Sequence, residues 1–262
     1  MLVVRGLVKE FAAGGHRPTV YRLVRSLLDG GKTSGARMRA LDGIDLDVRT
    51  GELVGVVGEN GAGKTTLLKT IAGLYAPTQG SVEVGGEVAL LAGLGVGMIE
   101  ELSVAENIYL YGAVCRLRRR TIKDRFDTIV QWAELEGCVD DELRTLSSGM
   151  RSRLAFGVAM QITSDVILMD EAFNAGDGRF QDRCEEFLRE TKGMERTVLV
   201  ATHNLEFVSS FCNRTLWLHR GRQKAFGPTE VVLPEYRTFV SRRVELTGSE
   251  VDQLPGSLRG VQ

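Results

Sequence analysis

The chain has 262 residues, of which 43% are hydrophobic and 26% charged, and its formal net charge is −1. That length holds one large domain, or one domain with a subdomain, and the composition excludes a disordered or fibrous chain. The balanced charge gives no overall nucleic-acid signature, and no apolar run approaches the ~18 residues of a membrane span.

Residues 2–11 predict a short strand. From 12 to 39 the pattern fails, and the segment is Gly-rich and basic around a helix-like stretch at 21–28. Alternating polarity predicts a strand at 44–48, and the apolar run 53–57 predicts another. Short strands follow at 81–84 and 88–91, then a Gly-rich loop at 92–97. From Ser103 to about Glu136 the pattern turns helical, opening on a capping box between Ser103 and Glu106. A further helix is expected over 148–162. Residues 166–169 are wholly apolar, as a strand buried on both faces should be. A helix at 180–191, a strand at 197–201, a short helix at 205–212 and a strand at 215–218 follow. The tail after Gly227 shows one helix-like segment, and 247–262 reads as a loose end. This alternation predicts an α/β fold with a mostly parallel sheet.

One stretch carries most of the chemistry. Gly58-Glu59-Asn60-Gly61-Ala62-Gly63-Lys64-Thr65-Thr66 sits between the strand at 53–57 and a helix start at 67–72. That is the setting a phosphate-binding loop needs. Glycines let successive N–H groups point at one anion, and the helix N-terminus adds its positive end. In such a loop Lys64 reaches the β- and γ-phosphates and the Thr65 hydroxyl ligates Mg²⁺. A nucleoside triphosphate is therefore expected.

Three further features narrow the class. Asp170 and Glu171 end the buried strand, where an α/β sheet presents ligands. Asp170 would hold Mg²⁺ through water, and Glu171 would orient or deprotonate the attacking water. The alternative is an acidic cap on the next helix. Leu146-Ser147-Ser148-Gly149-Met150-Arg151 precedes a helix, with Ser147 and the Gly149 N–H suited to a γ-phosphate; the alternative is a plain Ser cap. Ala201-Thr202-His203-Asn204 ends the next apolar strand.

In this order, loop, Ser147 segment, Asp-Glu pair and His resemble the ATP-binding cassette (ABC) ATPases over residues 2–228. The resemblance implies a P-loop fold with an antiparallel β subdomain and a helical subdomain at about 102–162. It implies that residues 147–150 are a signature sequence capping the ATP of a second copy in a head-to-tail dimer. It makes His203 the switch histidine at the γ-phosphate, Asp177 an inter-subunit aspartate, and Phe11 the adenine-stacking aromatic, with Tyr21 as runner-up. Ser147 to Phe156, the Ala175-Gly176-Asp177 run and the insert at about 12–39 are similar to exporters of bacterial O-antigen, capsule, teichoic acid and related wall glycans. In that branch the insert is a gate near the lipid-linked glycan. Two copies of a separate transmembrane permease are implied, and a location on the cytoplasmic face of the inner membrane. Exporters of drugs or other lipids, a soluble ABC ATPase and a non-hydrolysing binding module are the weaker alternatives.

The sequence departs from the family pattern at the signature, at Ala175-Gly176-Asp177 and at the glutamine loop. No Gln occurs at 91–101, where the glutamine loop belongs, and Glu100 and Glu101 are candidate substitutes. The basic run 116–120 reads either as a lipid- or phosphate-contacting patch or as a solvated helix end. The same two readings apply to Arg17, Arg22, Arg25, Lys32, Arg37 and Arg39. Cys115, Cys138, Cys184 and Cys212 lack metal-ligand spacing and read as reduced thiols in a cytoplasmic protein. Met1-Leu2-Val3-Val4-Arg5 lacks the order of a signal peptide. Residues 229–262 are expected to form a short helix and tail, far short of the ~100 residues of a carbohydrate-binding sandwich.

Overall fold

The structure, a computed structural model, describes residues 1–12, 37–92, 95–170 and 196–252. The insert residues 13–36, the expected helix at 180–191 and the last ten residues lie outside them. Strands β1 (Leu2–Ala12), β2 (Arg37–Val48), β3 (Leu53–Val57), β4 (Gln79–Val84), β5 (Val88–Ala92), β6 (Val166–Asp170), β7 (Thr197–Ala201), β8 (Arg214–His219) and β9 (Arg222–Pro228) form two sheets. One has the order β5-β6-β7-β3-β8-β9, parallel throughout except for the β8–β9 pair; the other is antiparallel, β2-β1-β4.

The apolar strands read as continuous runs because the large sheet is covered on both faces. Val54, Val56, Leu168 and Leu199 enter a core with Leu2, Leu41, Ile44, Leu67 and Leu68, under the antiparallel sheet and helix α1 (Lys64–Ile71). Val57, Ile167, Met169, Val198 and Val200 enter the opposite core, with Phe156, Phe207 and Leu233. Successive side chains on a strand alternate faces, so the central stretches of these strands are apolar on both faces.

Helices α2 (Val104–Val114), α3 (Arg119–Ala133) and α4 (Ser148–Ala159) share a third core around Val104, Ile108, Ile122, Ile129 and Leu154. Helix α4 belongs to two cores. Leu154, Ala155 and Val158 face the helices, while Phe156 and Ala159 pack under the sheet. The chain ends on α5 (Leu205–Phe211), the β8–β9 hairpin and α6 (Thr229–Asp252).

Two expectations change, and one strand is added. Strand β2 starts at Arg37, because its ladder with β1 continues through Phe11 opposite Met38 and Ala12 opposite Arg37. Strand β9 is an edge strand with no clean alternation, formed by pairing on β8. Helix α6 continues through residues 247–252, part of the expected loose end. The Arg-, Glu- and Leu-containing stretch after Tyr236 favours helix. Among the described residues, no helix is long and apolar enough to cross a membrane.

The predicted capping box opens α2. Ser103 Oγ accepts from the Glu106 N–H (3.2 Å), and Glu106 Oε2 accepts from the Ser103 N–H (2.9 Å). That hydrogen bond lowers the Glu106 pKa below its ordinary 4.5. A depressed carboxylate stabilises the fold above its unfolded pKa, so this contribution is whole above pH 4.5 and fades as pH falls through the lowered value. Ser103→Ala is expected to cost about 1 kcal/mol in urea unfolding at neutral pH. The gap between variant and wild type should narrow on acidification.

Candidate functional site

Parallel strands present their carboxyl ends at one edge. The register sets Ala201 opposite both Val56 and Asp170, so the ends of β3, β6 and β7 stand side by side. The phosphate loop, Asp170 and His203 converge there. Two glycines of the loop have no substitute. Gly58 has φ +154° and Gly63 has φ +104°. A Cβ would meet Leu218 O at 2.4 Å from Gly58, or Ala40 O at 2.8 Å from Gly63. The loop is thus wedged between the backbones of β8 and β2. The Arg220-Gly221 turn completes the wedge, because the Gly221 N–H donates to Ala62 O (3.0 Å) and its carbonyl accepts from the Asp42 N–H (2.8 Å).

Lys64 opens α1 behind Gly63, with no side-chain cap and no acidic residue in the first turn. The helix therefore offers its first-turn N–H groups and positive dipole end to the loop. Lys64 is only 6% exposed. Its ammonium donates to Gly58 O (2.8 Å) and Glu59 O (3.3 Å), and lies 3.1 Å from His203 Nε2. An ammonium has only donors, so toward Lys64 the ring nitrogen stands in the acceptor position. Asn60, Gly61 and Thr65 are exposed; Thr66 and Asp170 are half-buried.

Ser147 caps α4, its Oγ accepting from the Met150 N–H (3.3 Å). Ser147 and Ser148 are exposed, and Gly149 and Met150 half-buried. A Cβ on Gly149 would meet nothing closer than Ser147 Oγ at 4.0 Å. Nothing inside the described chain asks for glycine there.

Phe11 lies near the end of β1, edge-on to Tyr75 with centroids 5.3 Å apart and with Lys9 Nζ 5.0 Å from its centroid. Glu171, Asp177 and Tyr21 lie outside the described residues. Glu100 faces α4: its Oε1 is 2.6 Å from Arg151 Nη1, and Arg151 also donates to the carbonyls of Arg144 and Leu146 (both 3.1 Å). Glu101 is exposed. Two insert-margin cations have carboxylate partners at home: Arg37 pairs with Glu10, and Arg39 with Glu10 and Asp42. In the basic run, Arg119 begins α3 over the Tyr109 ring, and Arg120 pairs with Asp124. Burial pushes the Cys115 thiol up to about 11, which keeps it protonated and unreactive at neutral pH.

Sequence reading missed three groups at the loop: the Gly221 strap, His219 and Arg243. His219 Nδ1 stands 3.6 Å from Glu59 Oε2, and Arg243 of α6 grips the Glu59 carboxylate. The only local signal was the glycine in the His219-Arg220-Gly221 turn.

A family model described as ABC transporter matches residues 41–174. The chain is 34% identical to a teichoic acids export ATP-binding protein of Lactococcus lactis subsp. lactis, over 91% of this chain and 51% of the relative. It is 37% identical to an O-antigen export system ATP-binding protein of Klebsiella pneumoniae, over 78% of this chain and 82% of the relative. The chain thus spans about half the length of the first relative and most of the second. These relatives bear out the resemblance drawn from the signature segment. Among solved structures, an ATP-binding subunit of an ABC transporter aligns with TM-score 0.70 and 24% identity over 94% of this chain and 99% of that one. A dimeric ATP-binding cassette bound to ADP and Pi aligns with TM-score 0.69 and 21% identity over 87% and 99%. The fold is the expected α/β P-loop architecture.

The two glycines 63 and 149 separate the loop's internal constraint from an external one. Gly63→Ala is expected to cost about 1–3 kcal/mol in thermal or urea unfolding and to weaken ATP binding. Gly149→Ala should unfold like wild type.

Proposed function

The chain belongs to the ABC transporter family, and from that premise we propose that it is the ATP-hydrolysing subunit of an exporter of a lipid-linked polysaccharide. The observation that carries the nucleotide reading is the meeting of Lys64, His203 and Asp170 at one sheet edge, 139 residues of chain separating the lysine from the histidine. The residues present fit a magnesium nucleotide. Lys64 is a buried ammonium at the lip of a loop whose helix end is uncapped and free of acid. Thr65 and Asp170 are a hydroxyl and a carboxylate, the hard oxygen donors Mg²⁺ takes. Thr65 and Asp170 would hold the ion, which would neutralise charge on the phosphates.

The roles follow from position and chemistry. Residues 58–66 hold the phosphates, with Lys64 moving from its own loop carbonyls to the β- and γ-oxygens. His203, 3.1 Å from the Lys64 ammonium, would become a γ-phosphate contact through a ring N–H when the lysine turns to the nucleotide. Glu171 orients the attacking water, and Phe11 stacks on adenine. Ser147, Ser148, Gly149, Met150 and Asp177 cap the nucleotide of a second copy. The open space at Gly149 supports that arrangement, because it lets a partner's phosphate approach the N-terminal turn of α4. ATP contacts made only in the closed dimer would shift the population toward closure, and hydrolysis would reverse it.

Two copies of a transmembrane permease would take up this motion. Exposed Leu74, Val96 and Val114 support a docking surface. Leu74 and Val114 line a cleft of about 200 Å³ together with Leu90, Cys115 and Arg116. The Gly97 segment abuts Val114 beside it. We place the protein at the cytoplasmic face of the inner membrane through that permease, with the glycan passing near the insert. Residues 1–228 would form the cassette and 229–262 its C-terminal helix and tail.

Glu171→Gln should retain ATP binding, lose turnover, and elute as an ATP-dependent dimer in size-exclusion chromatography. Unchanged turnover would remove Glu171 from this role. Lys64→Ala should abolish nucleotide binding. Depleting the protein in its host should leave lipid-linked polymer inside the cell; normal surface polymer would sink the cargo assignment.

A further inference from the structure

Glu59 places a carboxylate inside the phosphate loop, between Gly58 and Asn60, where a polyanion is expected to bind. An acid there opposes the ligand unless its charge is cancelled. Arg243 supplies the cation. Its Nη1 lies 2.6 Å from Glu59 Oε1 and also reaches Oε2, across 184 residues of chain.

Arg243 stands on α6, and α6 is docked independently of this contact. Tyr236 and Phe239 pack on Trp217 of β8, with centroids 5.6 and 5.1 Å away. Phe239 also meets His219 edge-on at 5.1 Å. Leu233 and Tyr236 are buried in the sheet core. His219 is the other ring near Glu59, but burial holds its pKa below the ordinary 6.5. At neutral pH it is mostly uncharged, and the guanidinium carries the charge that faces the acid.

Glu59 is therefore held at two points. Lys64 takes its main-chain carbonyl, and Arg243 takes its side chain. When Lys64 turns toward phosphate, the carbonyl is released and the side-chain anchor remains.

We infer that Arg243 tunes the nucleotide site through Glu59: from the C-terminal helix it masks the carboxylate at the rim of the phosphate loop. Nucleotide affinity then depends on a helix that lies outside the matched family segment. The inference rests on the reading that the loop binds ATP. Both side chains are partly exposed, at 44% for Arg243 and 37% for Glu59. An exposed pair adds little to folding stability, so its loss should register in anion binding rather than in unfolding.

The test is an equilibrium titration of the full chain with a fluorescent ATP analogue, with thermal unfolding measured alongside. Arg243→Ala should weaken binding about fivefold, with an unfolding midpoint near that of wild type. The deficit should shrink as salt screens the exposed acid. Arg243→Lys should recover part of the affinity, by restoring charge without the planar fork. Adding Glu59→Gln to Arg243→Ala should recover most of it, since the unmasked acid is then gone; a merely structural contact would show no such rescue. Equal affinities for wild type and Arg243→Ala overturn the inference, as does a double variant no tighter than the single. A wild-type chain that binds no nucleotide overturns the ATP reading itself, an outcome distinct from a wild type that binds and an Arg243→Ala that binds equally.

Discussion

Coverage of the large sheet on both faces is the constraint from which the site follows. A doubly covered parallel sheet has its backbone groups consumed by the ladder and its side chains by two cores. Only the strand ends remain for a ligand. Strands β3, β6 and β7 are adjacent and in register, so three sequence-distant segments deliver their next residues to one edge. Lys64, Asp170 and His203 meet because Val56, Ala201 and Asp170 pair, and no direct attraction among the three is required.

The loop at that edge is held more firmly than its glycine content suggests. Leu218 and Ala40 crowd it from two sides, and the Gly221 turn joins it to Asp42. The same economy recurs between β5 and α2. Asn107, fully buried, accepts from the Ile99 N–H and donates to the carbonyls of Ile99, Leu102 and Ser103. One amide thus ties together four backbone groups of the turn, whose three carbonyls also accept from backbone N–H groups. The segment linking the sheet to the helices is fixed by a side chain and not by a regular element.

What was legible in the sequence was local. The apolar strands, the glycine loop, the Ser103 box and the Ser147 cap each declare themselves within nine or ten residues, because propensity and capping act at that range. What was not legible depends on residues far apart. Strand β9 exists because β8 offers it a partner, and β2 extends because β1 does. Arg37 and Arg39 left two readings open until Glu10, 27 and 29 residues away in the chain, came beside them. The Glu59 contact with Arg243 spans most of the chain and obeys no spacing rule. Edge strands and ion pairs of this kind are products of the fold and leave no pattern in the sequence before it forms.

Helix α4 has six successive buried residues, 154–159, and the five with side chains divide between two cores. A helix buried on one stripe can slide against its support, whereas one gripped on opposite sides cannot slip past either. Its first turn carries Ser147, and Arg151 one turn on ties it to Glu100 in the segment after β5. The helix therefore acts as an axle common to sheet and helical layer. Ser147 is thereby fixed relative to both layers, so neither can be repacked without moving it.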